Sequence, residues 1–205
     1  MITIVDFDIG NLGSIRNMLK KIGVASVVTT SPEEIERADK LILPGVGAFD
    51  AGMRNLHASG LVPLLNRKVL QDKTPVLGIC LGMQLMTRGS EEGSLPGLGW
   101  VRADTRRFTR EGAPDLKIPH MGWNVVRPAK DSPLVAEAPP EPRFYFVHSY
   151  YVRCDDRADA LLEARYGPHT IDAGFEAGHI RGVQFHPEKS HRFGMWMLKN
   201  FAERC

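Results

Sequence analysis

The sequence predicts an α/β protein: a doubly wound, mostly parallel sheet with helices on both faces and an antiparallel excursion. Three observations predict it. Short apolar runs alternate with helix-period stretches from Ile2 to Met86, the order that builds a parallel sheet covered on both faces. Glycine-rich turns follow the strand-like runs, as at Gly10 to Gly13, Gly45 to Gly47 and Gly78 to Gly82. From Arg88 to Pro142 the alternation gives way to short runs punctuated by Gly93, Pro96, Gly97, Gly112, Pro114 and Pro139-Pro140, as in an inserted antiparallel segment.

Residues 2–7 are strand-like. A turn from Asp8 to Gly13 follows, and Ser14 is placed to cap a helix running to Lys21, with Ile15, Met18, Leu19 and Ile22 on one face. The full Gly-x-Gly-x-x-Gly of a dinucleotide site is absent here, so a plain βα turn is expected. Residues 24–29 form the second strand. Ser31-Pro32-Glu33-Glu34 reads as a helix start, with Ser at the cap and Pro at the first position. Residues 41–43 form the third strand and run into Pro44-Gly45-Val46-Gly47. Residues 48–58 and 61–70 read as helices, interrupted at Gly60 and Pro63. A strand is expected over residues 76–79, with helix formers from Met83 to Met86 after it. Later strands are expected at 100–103, 144–147, 150–153 and 183–185. A hairpin over 161–166 and 171–176 turns at Gly167-Pro168, and a closing helix spans 191–203. One domain covers residues 1–205, without repeats or linkers.

Composition narrows the class. With 43% apolar and 24% charged residues the chain is ordinary for a globular protein. A formal net charge of +2, scattered in both signs, makes no case for nucleic acid or a membrane surface. Arg102, Arg106, Arg107 and Arg110 cluster, and a solvated face is expected there, with phosphate binding the second reading. The three cysteines, Cys80, Cys154 and Cys205, neither build a disulfide framework nor join histidines at metal-ligand spacing. No metal or cofactor is expected. No apolar run is long enough to cross a membrane, the start reads as a strand, and a reduced, cytosolic setting is the expectation.

The chemistry is expected at two places. Gly78-Ile79-Cys80-Leu81-Gly82 has the spacing of a nucleophile elbow with Cys at its centre. The flanking positions must lack side chains for the turn to close. The turn sets the sulfur at a strand end and a helix start, where unpaired N–H groups favour a thiolate and an oxyanion. Far along the chain, His186-Pro187-Glu188 ends a strand-like run. A Cys nucleophile needs an imidazole to take and return its proton, and the imidazole needs an acceptor on its other nitrogen. Alternate residues of an extended segment point the same way, so Glu188 is expected to orient His186.

These two motifs, Gly78-Ile79-Cys80-Leu81-Gly82-Met83-Gln84 and Phe185-His186-Pro187-Glu188, resemble those of the class I (triad) glutamine amidotransferases. Leu43 to Gly47, Pro119 to Asn124 and Tyr145 to Tyr150 are similar to stretches of one subfamily, the glutaminase subunits of imidazole glycerol phosphate synthases in histidine biosynthesis. The resemblance spans Ile2 to Phe201. It implies a Cys80–His186–Glu188 triad that hydrolyses L-glutamine to glutamate and ammonia through a Cys thioester. It implies oxyanion donors at Leu81 and near Val46, and a glutamine pocket from Gly45, Gly47, Gln84, Glu92, Ser149 and Tyr150. It also implies a heterodimer with a (β/α)8-barrel synthase subunit that receives the ammonia, with Asn11, Met121, Trp123 and Lys189 at the joint. Ser190 to Gly194 and Asn11 to Met18 also resemble paralogous subunits that supply ammonia for amidation of a surface sugar. Two further readings are a stand-alone cysteine hydrolase of the same fold class and a non-catalytic scaffold; the intact Cys80, His186 and Glu188 argue against the scaffold.

Overall fold

The computed structural model describes residues 1–205. Its elements in chain order are β1 (Ile2–Val5), α1 (Leu12–Lys21), β2 (Ser26–Thr29), α2 (Pro32–Glu36), β3 (Lys40–Gly45), α3 (Phe49–Ala58), α4 (Val62–Asn66), β4 (Val76–Cys80) and α5 (Leu81–Leu85). The second half adds β5 (Ala103–Arg107), β6 (His120–Val125), β7 (Arg127–Pro128), β8 (Arg143–His148), β9 (Tyr150–Cys154), β10 (Ala160–Tyr166), β11 (His169–Ala177), β12 (Ile180–Val183) and α6 (His191–Arg204).

The main sheet runs β2-β1-β3-β4-β12-β11-β10-β7. Its first five strands are parallel, and β11, β10 and β7 complete it antiparallel. Two small antiparallel pairs, β5-β9 and β6-β8, stand beside it. Alternation along β3 explains the layering. Ile42 packs into one core with α1 and α6, while Leu41 and Leu43 pack into the other with α3. Each such fully buried side chain contributes about 1.5–3 kcal/mol relative to exposure. The expected α/β architecture is therefore the observed one.

Several local expectations are corrected. The first helix begins at Leu12, two residues before Ser14, and Asn11 precedes it without a side-chain capping bond. Ser14 lies within the first turn. By contrast Ser31 caps α2 as expected, its Oγ accepting from Glu34 N–H at 3.3 Å. Pro63 opens α4 rather than breaking it, because a first-turn residue has no helical partner for its missing N–H. A strand at 100–103 is replaced by β5 beginning at Ala103. The run before it, Trp100 and Val101, is held by N–H bonds to Met86 C=O instead of a ladder. β12 ends at Val183, so 184–185 fall beyond it.

Candidate active site

The elbow is built from β4 and α5. Cys80 has φ 53° and ψ −111°, a left-handed setting for a residue with a side chain, which costs on the order of 1–3 kcal/mol. Close packing holds it there. A Cβ on Gly78 would lie 2.8 Å from the Met83 backbone, and one on Gly82 would lie 1.8 Å from Leu43 C=O. Both glycines are thus required by close approach of main chain to main chain. Gly82→Ala should destabilise the fold by at least the ~1–3 kcal/mol of ordinary overpacking. Gly13→Ala, where nothing lies within 4 Å, should be neutral or mildly stabilising. Paired thermal melts test this, and equal melting temperatures for the two variants would refute it.

His186 comes from the segment after β12, the strand that lies parallel to β4 and directly beside it. The turn after β12, Pro187–Lys189, is a single 3₁₀ turn. It brings Glu188 Oε1 to 2.7 Å from His186 Nδ1, and both side chains are 2% exposed. The expectation of strand alternation is corrected here: the carboxylate reaches the ring because the chain coils back. Neighbouring bonds pin this turn. His186 N–H donates to Tyr145 C=O at 2.9 Å, and Ser190 Oγ donates to His186 C=O at 2.6 Å while accepting from Tyr145 N–H at 3.0 Å. Since a carboxylate accepts, Nδ1 carries the proton and Nε2 is left for the sulfur. Burial pulls the His186 pKa down, but the Cys80 sulfur and the Glu188 carboxylate together outweigh it and hold the value up at about 9. Nε2 and Cys80 make no hydrogen bond of normal geometry; such contacts often tighten only when substrate is bound.

A cavity of about 330 Å³ opens over the sulfur. Of the expected residues it is lined by Val46, Gly47, Leu81, Gln84, Glu92, Ser149 and Tyr150 along with Cys80 and His186. Gly45 is absent from the lining. Its α-carbon faces Leu81 and Gly82, where a Cβ would sit 3.0 Å from the Leu81 side chain. The next residues are unconfined. Val46 is 43% exposed, and Gly47 has φ +107° with nothing within 4 Å of a notional Cβ. The N–H groups of Val46 and Gly47 donate to no backbone acceptor, and Leu81, first in α5, has no partner within its own helix. Glu92 is partly committed: its Oε2 accepts from Phe49 N–H at the start of α3, at 2.8 Å.

Two residues escaped the sequence reading. Gln184, fully buried, directs Nε2 at Cys80 Sγ from 3.7 Å and accepts from Gln84 Nε2 at 3.0 Å. His148 lines the cavity beside Ser149. Both lie inside stretches already singled out, so their positions were visible although their contacts were not.

None of Met121, Trp123, Lys189 and Asn11 lines this cavity. Met121 is 61% and Trp123 48% exposed. Trp123 stacks on His191 with ring centroids 5.5 Å apart and planes 4° apart, and Lys189 Nζ lies 5.8 Å over the Tyr145 ring. The helix that begins after Asn11 packs on the Pro187–Lys189 turn. Arg102, Arg106, Arg107 and Arg110 are exposed. Arg107 and Arg110 border a second cavity that shares Glu92, Ser149 and Tyr150 with the first.

The family described as glutamine amidotransferase class-I matches residues 3–205. The chain is 50% identical over 205 residues to "Imidazole glycerol phosphate synthase subunit HisH 2" of Methanococcus maripaludis, covering 100% of each chain. It is 49% identical to the protein of the same name from Pseudomonas aeruginosa, over 99% of each. It is 45% identical to "Imidazole glycerol phosphate synthase subunit HisH" of Bdellovibrio bacteriovorus, over 99% of this chain and 100% of that one. Among solved structures, PurLQS from Thermotoga maritima superposes with a TM-score of 0.71 at 16% identity, covering 98% of this chain and 96% of that one. That likeness speaks to the fold alone.

Proposed function

Because this chain belongs to the class-I glutamine amidotransferase family, we propose that it is the glutaminase subunit of an imidazole glycerol phosphate synthase, acting in histidine biosynthesis. The observation that carries the chemistry is the strained Cys80 elbow beneath a buried His186–Glu188 pair. We assign the steps as follows. The Cys80 thiolate attacks the side-chain amide carbon of L-glutamine. The negative charge moves to the carbonyl oxygen, where Leu81 N–H and a peptide N–H at Val46 or Gly47 receive it, each worth about 3 kcal/mol. The imidazolium of His186 gives its proton to the leaving nitrogen, and ammonia departs from a glutamyl thioester. Neutral His186 then takes a proton from water, which attacks the thioester and releases glutamate and the thiolate. Glu188 keeps the ring in the required tautomer. In this reading Gln84, Glu92, Ser149, Tyr150 and Gly47 hold the amino acid.

Ammonia needs a receiver. The relatives' names describe subunits of a synthase, and the exposed Met121–Trp123 patch supports a docked partner over a stand-alone hydrolase. We assign this face, with Asn11 and Lys189, to a (β/α)8-barrel cyclase subunit, and place the complex in the cytosol. No helix is long and apolar enough to cross a membrane. Glutaminase turnover measured with and without the cyclase and its ligand tests the reading. The lone chain should be slower by on the order of 10²–10³, the cost of one missing oxyanion donor. Trp123→Ala should blunt the activation more than it lowers the melting temperature. Full turnover by the lone chain would return the case to a free-standing hydrolase.

A further inference from the structure

Beside the cavity lies a hydrogen-bond chain, buried at His148 and His120 and reaching the surface at Asn124, that the steps above do not use. His148 Nδ1 lies 2.7 Å from Tyr150 C=O, and its Nε2 lies 2.9 Å from His120 Nδ1. His120 Nε2 in turn lies 3.2 Å from Asn124 Nδ2, which also reaches Arg165 C=O at 2.9 Å. On the other side of the same carbonyl, Gln84 Nε2 lies 3.1 Å from Tyr150 C=O.

The direction of every bond follows from that one carbonyl, because a carbonyl only accepts. His148 must carry its proton on Nδ1, so its Nε2 accepts. His120 must then donate from Nδ1, and its Nε2 accepts from Asn124. In the other direction, the Gln84 atom facing Tyr150 must be its amide nitrogen. The same nitrogen faces Gln184, which must present its oxygen, so the Gln184 nitrogen is turned toward Cys80 Sγ. Gln84 Oε1 is left without a protein partner and is not sealed off, available to accept from a donor in the cavity. The rings are clamped: His120 stacks on Tyr166 at 3.9 Å and on Phe146 at 4.7 Å.

We propose that His148, backed by His120, is a positioning residue for the cysteine chemistry: it anchors the Tyr150 carbonyl, and that carbonyl sets the Gln84 and Gln184 amides so that a donor points at the Cys80 sulfur. The chain is not a proton relay, since it ends on a carbonyl and a carboxamide, which do not pass protons on. It works only while both imidazoles are neutral, because a proton on His148 Nε2 or His120 Nε2 would set two N–H groups against each other. Burial supports this: it pulls the pKa of His120 down to about 4 and that of His148 to about 3, with the Tyr150 bond opposing and His120 adding to the latter shift.

The inference rests on Cys80 as the glutaminase nucleophile, and its test separates the two. Nitrogen-15 NMR of imidazole-labelled protein reads tautomers without any turnover. Both His120 and His148 should appear as neutral Nδ1–H forms at pH 7; a His148 carrying its proton on Nε2 would overturn the proposal. In the complex, His148→Asn keeps a nitrogen donor near the Nδ1 position, whereas His148→Gln moves it toward Nε2. The Gln variant should lose on the order of tenfold in kcat and in the rate of Cys80 alkylation by iodoacetamide, the worth of about one hydrogen bond. The Asn variant should keep most of both, and KM should move less than kcat. Equal losses in the two variants would overturn the positioning role. An inactive parent complex that nevertheless shows the stated tautomers would overturn the glutaminase assignment and leave the hydrogen-bond chain standing.

Discussion

Cys80→Ala protein should fold, bind its partner and release no measurable glutamate from glutamine. Removing the nucleophile of a triad hydrolase costs on the order of 10⁶ in kcat, beyond the range of a steady-state assay here. The fold should survive, because Ala at 80 fits under the same contacts: the close approaches that shape the elbow belong to Gly78 and Gly82. Cys154 and Cys205 provide the controls. Cys154 lies on β9 with its N–H bonded to Asp172 at 2.8 Å, and burial pushes its thiol up to about 12, an inert sulfur. Cys154→Ser and Cys205→Ser should retain activity, and a glutamine-analogue electrophile should label Cys80 alone. Glutamate release by Cys80→Ala protein at the parent rate would remove the elbow from the mechanism.

His186→Ala should follow closely, with a loss of several orders of magnitude in thioester formation. Glu188→Gln should lose on the order of 10⁴ if its role matches that of the triad aspartate, whose amide replacement strands the ring in the wrong tautomer. The pH profile carries the sign. His186 must be charged to protonate the leaving nitrogen. With its pKa held at about 9, the first step should persist through neutral pH and decline as pH rises past that value. In Glu188→Gln one of the groups raising the pKa is gone, so the alkaline limb should move to lower pH. Stopped-flow measurement of thioester formation across pH 6–10 distinguishes the cases; an unmoved alkaline limb would assign it to another group.

The parts of this site that were readable in the sequence are those whose logic is local. His-Pro-Glu announced its pair, but by the alternation of an extended segment, whereas a 3₁₀ turn makes the contact. Gly-x-Cys-x-Gly describes one turn, so spacing carries its geometry. Ser31 before Pro32 marked its helix for the same reason. Gln184 and His148 were not readable in this way: Gln184 meets a partner far off in the chain, and the Tyr150 carbonyl that His148 holds is shared with distant Gln84. The Gln184–Cys80 contact spans 104 residues and the Gln84–Tyr150 contact 66. β6 does alternate, with Met121, Trp123 and Val125 between His120, Gly122 and Asn124, but the sense is inverted: His120 is buried while Met121 and Trp123 are exposed, and the strand is held by pairing with β8. The start of α1 was misplaced because Ser14 offered a good capping side chain, whereas the chain turned into the helix at Asn11 without one.

The change from Gly45 to Gly47 has a mechanical meaning. Up to Gly45 the main chain of β3 is clamped against the elbow; from Val46 onward it is open. A rearrangement of the Val46 and Gly47 peptides would therefore have the sheet as its fixed side. Nothing upstream would need to give way, so the Cys80 elbow and the His186–Glu188 pair would keep their alignment. A movement this small belongs with loop motions on the ns–μs scale, faster than a typical enzymatic turnover of about 10 s⁻¹. In the proposed complex, any delay would then be set by the partner's arrival, with this rearrangement adding none of its own.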